Sequence, residues 1–273
     1  MSLQHDTLIF QAHRFEPERA LLQLQTTGVI LIRAVFSHQI LKAFLKRALR
    51  VFDLRQRELE AGTLPAGYAK NYQYGEMTYI SLRELDLPGE VPYQIVQLMK
   101  KSLLIPLLQA YYQGPVWLNQ LESNLRRQNC AKPHLLIPFH QDCPFQGNPD
   151  FPQLNCWVPL VPCGENAPSL EVAPIGLKSI WPINSEEAQA ENPLYAQYAL
   201  KTERVLAKVK ASELWHPPFW PGDVLIMDPY VLHRTYARPE MSLPRYSIEL
   251  RSLAAEALPS ETRERYGMMR LSV

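Results

Sequence analysis

The stretch that decides the fold is LLIPFHQD, which runs from Leu135 to Asp142. Its apolar part, Leu135–Phe139, is predicted to form a strand, because it is compact, apolar and followed by turn residues. In an extended chain, residues i and i+2 lie on the same face, so His140 and Asp142 point together. An imidazole nitrogen and a carboxylate oxygen placed side by side predict a metal-binding pair inside the mouth of a β-barrel.

The third metal ligand is predicted to be His233. It follows the stretch GDVLIMD (Gly222–Asp228), which is typical of a turn and a buried strand. Asp223 and Asp228 bracket that strand and are interpreted as turn residues rather than ligands. Two histidines and one carboxylate leave three positions open on a metal ion. Such a site suits Fe(II), a co-substrate that binds through two atoms, and O₂.

A second motif, Arg245-Tyr246-Ser247, lies twelve residues past His233 on the next predicted strand. Arg245 and Ser247 share a face by the same alternation. A guanidinium beside a hydroxyl can bind a carboxylate. If the metal holds the 2-oxo-acid end of 2-oxoglutarate, this pair can hold its far carboxylate. The motif therefore separates this site from a zinc hydrolase with the same three ligands.

Other basic residues lie near these motifs and have weaker claims on an anion. The alternatives for the carboxylate anchor are Arg234, Arg238 and Arg251. Arg126, Arg127 and Lys132 are interpreted as a solvated strand end, because charged side chains are seldom buried without a partner.

The order of predicted elements favours a mainly β protein with flanking helices. Ser37 is predicted to cap a helix through Glu60, and a second helix covers Val91–Gln113. Strands are predicted at Ile30–Val35, Val116–Asn124, Leu135–Phe139, Asn155–Leu160, Leu170–Val172, Val224–Met227 and Tyr246–Leu250. Such a series of strands after helices is typical of an antiparallel sandwich or jelly roll.

These elements predict a single domain over residues 1–273. It consists of a helical part at about 1–114, a jelly-roll core at about 115–253 and a C-terminal tail at 254–273. The core is interrupted by a helical insertion at about 185–209, and an irregular, tyrosine-rich loop is predicted at Tyr68–Tyr79. Substrate selectivity is expected to lie in this loop and in the insertion.

Composition excludes several function classes. The 28 basic and 27 acidic residues give a net charge of +1, so nothing draws the whole chain to nucleic acid or to an anionic membrane. No apolar run is long enough to cross a bilayer. The four cysteines lack CxxC spacing and are interpreted as free thiols in a reducing compartment. We expect a cytoplasmic protein, a monomer or homodimer, that binds a small-molecule substrate.

The chain resembles the phytanoyl-CoA dioxygenase (PhyH) family of Fe(II)/2-oxoglutarate oxygenases from about Ala131 to Ser252, with a weaker similarity at Gly28–Leu49. The matching segments are Phe139–Asp142 (FHQD), Asn155–Leu160 (NCWVPL), Ser169–Pro174 (SLEVAP), Gly222–Asp228 (GDVLIMD), His233–Thr235 (HRT) and Arg245–Ser247 (RYS). One segment departs from the family: Glu165–Lys178 lacks the usual Pro-Gly-Ser-His.

The resemblance implies a double-stranded β-helix fold. It assigns His140, Asp142 and His233 to iron and Arg245 to 2-oxoglutarate, and it places Trp157 and Thr235 in the co-substrate pocket. The implied reaction hydroxylates an aliphatic C–H bond and releases succinate and CO₂.

Desaturation, epimerisation and ring formation remain alternative outcomes of this chemistry. Halogenation is disfavoured because Asp142 is present. Two other functions stay open: a zinc-dependent hydrolase or isomerase of cupin type, and a non-catalytic metal-binding relative. The cupin reading lacks the usual HxH with a nearby Glu. Addition of 2-oxoglutarate with measurement of succinate distinguishes all three.

Overall fold

The computed structural model describes residues 5–64, 72–73, 76–82, 91–142, 153–183 and 198–272. Its helices are α1 (Pro17–Thr27), α2 (His38–Glu60), α3 (Val91–Lys100), α4 (Leu104–Tyr112), α5 (Thr202–Leu206) and α6 (Ser260–Arg265). Its strands are β1 (Ile9–Gln11), β2 (Val29–Arg33), β3 (Tyr72–Gln73), β4 (Glu76–Met77), β5 (Tyr79–Ser81), β6 (Trp117–Gln128), β7 (Leu154–Pro159), β8 (Ser169–Ala173), β9 (Val224–Met227), β10 (Leu232–Tyr236), β11 (Arg245–Leu253) and β12 (Met268–Arg270). The predicted mainly β fold with flanking helices is confirmed.

The first predicted long helix is confirmed and the second is divided. α2 begins after Ser37 and ends at Glu60, as the spacing of its apolar residues indicates. Ser37 occupies the N-cap position, but its side chain makes no capping hydrogen bond, so that part of the prediction is wrong. The predicted helix over Val91–Gln113 is instead two helices, α3 and α4, separated at residues 101–103. Pro106 explains the break, because proline lacks an N–H donor and its ring obstructs the preceding turn. Proline is tolerated only in a first turn, where α4 places it.

A large sheet forms one layer of the molecule. Its strands run in the order β1-β2-β9-β7-β11-β6-β12, and β5 also pairs with β6. β1 and β2 are parallel, and the other pairs in this sheet are antiparallel. β11 therefore lies between β6 and β7, at the centre of the sheet, and the residues of Arg245–Leu253 are held from both sides.

A small sheet faces the large one. β8 pairs with β10 in antiparallel register, with His233 opposite Val172. Single bridges extend this sheet on both sides: His140 pairs with His233, and Trp215 pairs with Val172. The two sheets together give the jelly-roll architecture, and the His140–His233 bridge lies on its inner wall.

Alternation along the strands divides the apolar side chains into two layers. Val224 and Ile226 of β9 join a cluster formed with the helices, whereas Leu225 and Met227 join Trp157 in a cluster between the sheets. This is the period-2 pattern of a sheet that is covered on both faces. The space between the sheets is the space that can hold a site.

The predicted strand at Leu135–Phe139 is wrong. The chain there forms a short 3₁₀ turn at Pro133–Leu135 and then runs beside β10 with few pairings. Ile137 exchanges bonds with Thr235, and the next regular contacts are single bridges at Phe139 and His140. Pro138 has no N–H to donate, so a continuous ladder cannot form.

Two other predictions fall partly outside the described residues. Residues 68–71, 74–75 and 184–197 are not described. Within Tyr68–Tyr79, β3 and β4 pair as a hairpin, so the loop prediction is wrong for those strands. Of the predicted insertion at 185–209, residues 185–197 lie outside the described residues, and α5 is the α-helix in the described remainder.

The described part of the chain also bears on the cysteine and membrane predictions. Cys130, Cys156 and Cys163 are free thiols, as predicted, and Cys143 lies outside the described residues. No helix in the described ranges is long and apolar enough to span a bilayer.

Candidate metal centre and adjoining pocket

The structure brings His140, Asp142 and His233 together between the two sheets. The two histidines form a backbone pair, each donating its N–H to the other's carbonyl at 3.0 Å. Their rings lie 4.1 Å apart. The Nε2 atoms of His140 and His233 lie 3.8 Å and 3.9 Å from Oδ1 of Asp142. The ligand-type atoms of all three side chains lie within 4.8 Å of one another.

Backbone carbonyls fix the orientation of both imidazoles. Nδ1 of His140 lies 2.9 Å from the Pro138 carbonyl, and Nδ1 of His233 lies 3.0 Å from the Val231 carbonyl. A carbonyl only accepts, so Nδ1 carries the proton in each ring. The Nε2 lone pairs then face Asp142, which is the tautomer of a histidine that binds a metal.

Gln141, between the two predicted ligands, is a positioning residue that the sequence did not reveal. Its Nε2 donates to the carbonyls of Ser179 at 3.0 Å and Tyr230 at 2.6 Å, and its Oε1 accepts from the N–H of Trp181 at 2.7 Å. The buried Gln141 amide therefore connects the His140–Asp142 segment to Tyr230, three residues before His233.

The electrostatics of the triad favour a cation. Burial lowers the pKa of His140 to about 3, helped by the neighbouring His233, so its imidazole is neutral at pH 7. Burial by itself raises the pKa of Asp142, but Arg251 and the two histidines outweigh it and hold that pKa below its usual range. A neutral imidazole and an ionised carboxylate are the forms that bind metal.

The donor set fits a divalent ion with open coordination positions. Two atoms up to about 4.2 Å apart can share one ion at bond lengths of about 2.1 Å, and the Asp142 distances to both histidines lie within that limit. Two histidines and one carboxylate, all buried, are the ligands of non-haem Fe(II) sites.

A chain of ion pairs extends from Asp142. Arg251 pairs with both oxygens of Asp142, and its Nη2 also lies 3.1 Å from Oε2 of Glu249. Arg126 binds Glu249 through Nε at 2.6 Å. Arg126 is therefore buried and paired, and its predicted place at a solvated strand end is wrong.

Alternation along β11 is the signal that could have placed the β11 members of this network on one buried face. Every second residue from Arg245 to Arg251 is polar or charged and buried: Arg245, Ser247, Glu249 and Arg251. Arg245 and Ser247 lie at one end of this row. Arg251 lies at the other, where it contacts Asp142 rather than serving as a rival to Arg245.

The predicted pocket residues surround a cavity beside the triad. Its walls are formed by Arg126, Ile137, His140, Asp142, Asn155, Trp157, Leu170, Met227, His233, Arg234, Thr235, Arg245, Glu249 and Arg251. Six of the seven predicted site residues are in this set. Ser247 is not, although it is fully buried on the same row as Arg245.

The polar side-chain atoms in and beside this pocket differ in the hydrogen-bond partners that the protein gives them. Arg245 is fully buried, donates from Nη1 to the Ser169 carbonyl at 2.9 Å, and lies 5.6 Å from the centre of the Trp157 ring. The hydroxyl of Thr235 is already bonded to Gln128 and to the N–H of Ile137. Among the described residues, Trp157 Nε1 and Ser247 Oγ are buried without a hydrogen-bond partner. Such atoms point to a missing polar ligand.

The two aspartates interpreted as turn residues have structural contacts. Asp223 pairs with Arg33 at 2.5 Å and accepts from the N–H groups of Ala34 and Trp220. Asp228 accepts from the N–H of Tyr230 at 2.9 Å. Neither belongs to the histidine–aspartate cluster.

Comparison with known proteins gives no match in sequence and many in structure. Neither a protein-family model nor a curated protein matches the chain. AviO1 from Streptomyces viridochromogenes Tue57 superposes with a TM-score of 0.58 and 16% identity, covering 90% of this chain and 98% of that one. The epimerase SnoN, in complex with Fe³⁺, alpha ketoglutarate and nogalamycin RO, gives 0.57 and 16%, covering 88% and 84%.

EctD from S. alaskensis, with 2-oxoglutarate and 5-hydroxyectoine, gives a TM-score of 0.58 and 16% identity, covering 87% of this chain and 76% of that one. Identities this low establish a shared fold and nothing finer. The chain therefore has the jelly-roll fold of these proteins, with the His140, Asp142 and His233 cluster on the inner wall of that fold.

Proposed function

We propose that the chain is an Fe(II)- and 2-oxoglutarate-dependent dioxygenase that hydroxylates an aliphatic C–H bond of a small-molecule metabolite. The observation that carries the proposal is the cluster of His140, Asp142 and His233. Its two Nε2 atoms and one carboxylate oxygen converge between the sheets, with both Nδ1 atoms held by backbone carbonyls. The Fe³⁺ and alpha ketoglutarate bound to SnoN and the 2-oxoglutarate bound to EctD support the same cofactors.

In this proposal the metal ligands are His140, Asp142 and His233. When bound, Fe(II), 2-oxoglutarate and O₂ supply the oxidising chemistry, and 2-oxoglutarate leaves as succinate and CO₂. The chain's own part is to hold the ion through three donors, which leaves three positions open. Burial keeps the imidazole of His140 neutral, and all three side chains are shielded from solvent.

Arg245 is proposed to bind the far carboxylate of 2-oxoglutarate. Its guanidinium is a buried positive charge that lines the cavity beside the triad, and a charge-assisted bond there gains strength from the low dielectric. The unpartnered Nε1 of Trp157, which lines the cavity, supports a polar ligand at this end. Ser247 lies outside the cavity wall but on the same row of β11 as Arg245, and its unpartnered Oγ is proposed to bind the same carboxylate. Thr235 contributes to the wall, with its hydroxyl bonded inside the protein.

Hydroxylation is the proposed outcome among several that this fold supports. The neighbours include an epimerase and a protein crystallised with 5-hydroxyectoine, so the fold alone does not select between them. Asp142 argues against halogenation, because a halogenase needs that ligand position for the halide. Membership of the PhyH family is part of the same proposal and rests on the motifs.

The remaining predictions complete the proposal. We propose that residues 1–273 form one dioxygenase domain that acts in the cytoplasm, as a monomer or homodimer. The small molecule is its only proposed partner besides the cofactors, in keeping with the net charge of +1.

Succinate formation tests the function directly. Purified protein with Fe(II), ascorbate and 2-oxoglutarate is incubated in air with pools of small metabolites, and succinate is measured by mass spectrometry. We expect succinate that depends on Fe(II), rises with one pool and is lost in His233→Ala. A zinc hydrolase or a non-catalytic relative forms none, so its absence in all pools contradicts the proposal.

A further inference from the structure

Arg251 occupies one side of the proposed metal ligand Asp142. Its Nη1 pairs with Oδ2 of the carboxylate, and its Nη2 lies 3.2 Å from Oδ1. Asn155 also approaches Oδ2, with its Nδ2 at 3.4 Å. Oδ1 is the oxygen that faces both histidine rings. The two oxygens of one carboxylate therefore have different surroundings.

The position of Arg251 is itself fixed from behind. Glu249 accepts from Nη2 of Arg251 at 3.1 Å and from Nε of Arg126 at 2.6 Å. All three side chains are buried. Burial by itself lowers the pKa of Arg251, but the carboxylates of Asp142 and Glu249 outweigh it and raise that pKa above its usual range. Moving the guanidinium away from Asp142 breaks these ion pairs. The contact between the two guanidinium nitrogens and the Asp142 carboxylate is therefore maintained.

Coordination number gives this contact a consequence for the proposed reaction. A carboxylate binds a metal through one oxygen or through both. With one oxygen from Asp142 and two imidazoles, three of six positions remain, enough for a two-atom co-substrate and O₂. With both oxygens, two remain, and the co-substrate and O₂ then compete for them.

We propose that Arg251 is a positioning residue that restricts Asp142 to one coordinating oxygen, and that its charge weakens the hold of the site on the ion. This inference rests on the proposed function. The second effect follows from repulsion, because a guanidinium next to the carboxylate faces any cation bound there. The Arg251 guanidinium also pairs with Asp142 before a metal binds, so the carboxylate contributes less free energy to metal binding.

Co(II) provides a test that does not require turnover. Wild-type protein and Arg251→Met are titrated with Co(II), followed by visible absorption, and the loaded proteins are then titrated with 2-oxoglutarate. We expect Arg251→Met to bind Co(II) at least about tenfold more tightly, with a changed absorption band. It is expected to bind 2-oxoglutarate at least about tenfold more weakly, because a position is lost.

Arg234→Met is the matched control. It removes one charge from the same cavity wall, but Arg234 pairs with Glu171 at 2.5 Å rather than with Asp142. Its Co(II) band is expected to match that of wild type. If Arg251→Met does not fold, Arg251→Lys keeps the charge and removes the fork. We then expect Co(II) affinity within about threefold of wild type and a tenfold loss of 2-oxoglutarate affinity.

The outcomes separate this inference from the function beneath it. Unchanged or weaker Co(II) binding by Arg251→Met overturns the inference, because a merely structural arginine loosens the site when removed. Unchanged 2-oxoglutarate affinity in Arg251→Lys overturns it as well. A wild-type protein that binds no Co(II) overturns the proposed function and the inference together.

Discussion

His140 and His233 face each other across two backbone hydrogen bonds of 3.0 Å, and their rings lie 4.1 Å apart. His233 lies 93 positions after His140 in the chain. The pairing of the two chain segments therefore sets the distance between their Nε2 atoms, and the side chains need little adjustment to share an ion. A site held by backbone pairing forms before any ligand arrives.

Replacing one histidine of this pair is expected to remove the metal. In His233→Ala the ion loses one of three donor atoms. Metal affinity should therefore fall by more than the roughly 10- to 100-fold caused by replacing residues that hydrogen-bond to a ligand. Metal content after dialysis, measured by mass spectrometry, checks this. His216→Ala is the control, because that exposed ring stacks on Tyr236 away from the site. Full iron occupancy in His233→Ala contradicts the assignment.

Arg245→Ala is expected to weaken 2-oxoglutarate binding while metal stays bound. A charge-assisted bond contributes about 1.5–3 kcal/mol, so the dissociation constant should rise roughly 10- to 100-fold. Calorimetric titration of Co(II)-loaded protein measures it. Arg238→Ala serves as the control, since that side chain is 43% exposed and pairs with Glu240. A larger loss in Arg238→Ala than in Arg245→Ala means that the anchor is misplaced.

Ser247→Ala is expected to change stability and binding in opposite directions. The Ser247 hydroxyl is buried without a partner among the described residues, and such a group costs about 1–3 kcal/mol. Its removal should raise the melting temperature of the ligand-free protein and raise the 2-oxoglutarate dissociation constant severalfold. Thermal unfolding with and without 2-oxoglutarate measures both effects. Equal melting shifts in the two conditions show that the hydroxyl does not contact the co-substrate.

Asp228 is expected to make stability depend on pH. Burial raises the pKa of Asp228 to about 6, so the folded state favours the protonated carboxyl and stability falls as pH rises from about 4 to 6. Asp228→Asn should therefore stabilise the protein by roughly 1–3 kcal/mol at pH 7.5 and by about half as much at pH 5. Urea unfolding at both values tests the sign. Asp223→Asn, which breaks the pair with Arg33, should destabilise at both.

Local sequence pattern was sufficient for six of the seven predicted strands and for the three clustered residues. Val224–Met227 forms β9 with the predicted bounds, because a short apolar run between turn residues has few other structures open to it. His140 and Asp142 do lie together, although the predicted strand before them is absent. Pro138 removes the ladder but leaves the segment extended, and extension alone is what brings residues i and i+2 to one side.

Contacts between distant strands could not be predicted in the same way. The Arg251–Asp142 pair depends on the register that places Arg251 opposite Asn155 in β7. It also depends on a shift in the β6 register between Glu249 and Arg251. Nothing in the local sequence encodes such a shift. Burial of Arg126 depends equally on Glu249 from another strand, which is why a charged strand end was predicted to be solvated.

Asp142→Gly is expected to give an inactive protein that is not a halogenase. The change removes a metal ligand. It also leaves the buried Arg251 paired with Glu249, a carboxylate that Arg126 also binds. Loss of one partner of a buried pair costs about 3–5 kcal/mol.

The double variant Asp142→Gly with Arg251→Met should regain most of that stability and still bind no metal. Urea unfolding and metal content measure the two effects separately. Equal instability of the single and double variants shows that Arg251 is not the source, whereas chlorinated product from either variant contradicts the predicted loss of the metal.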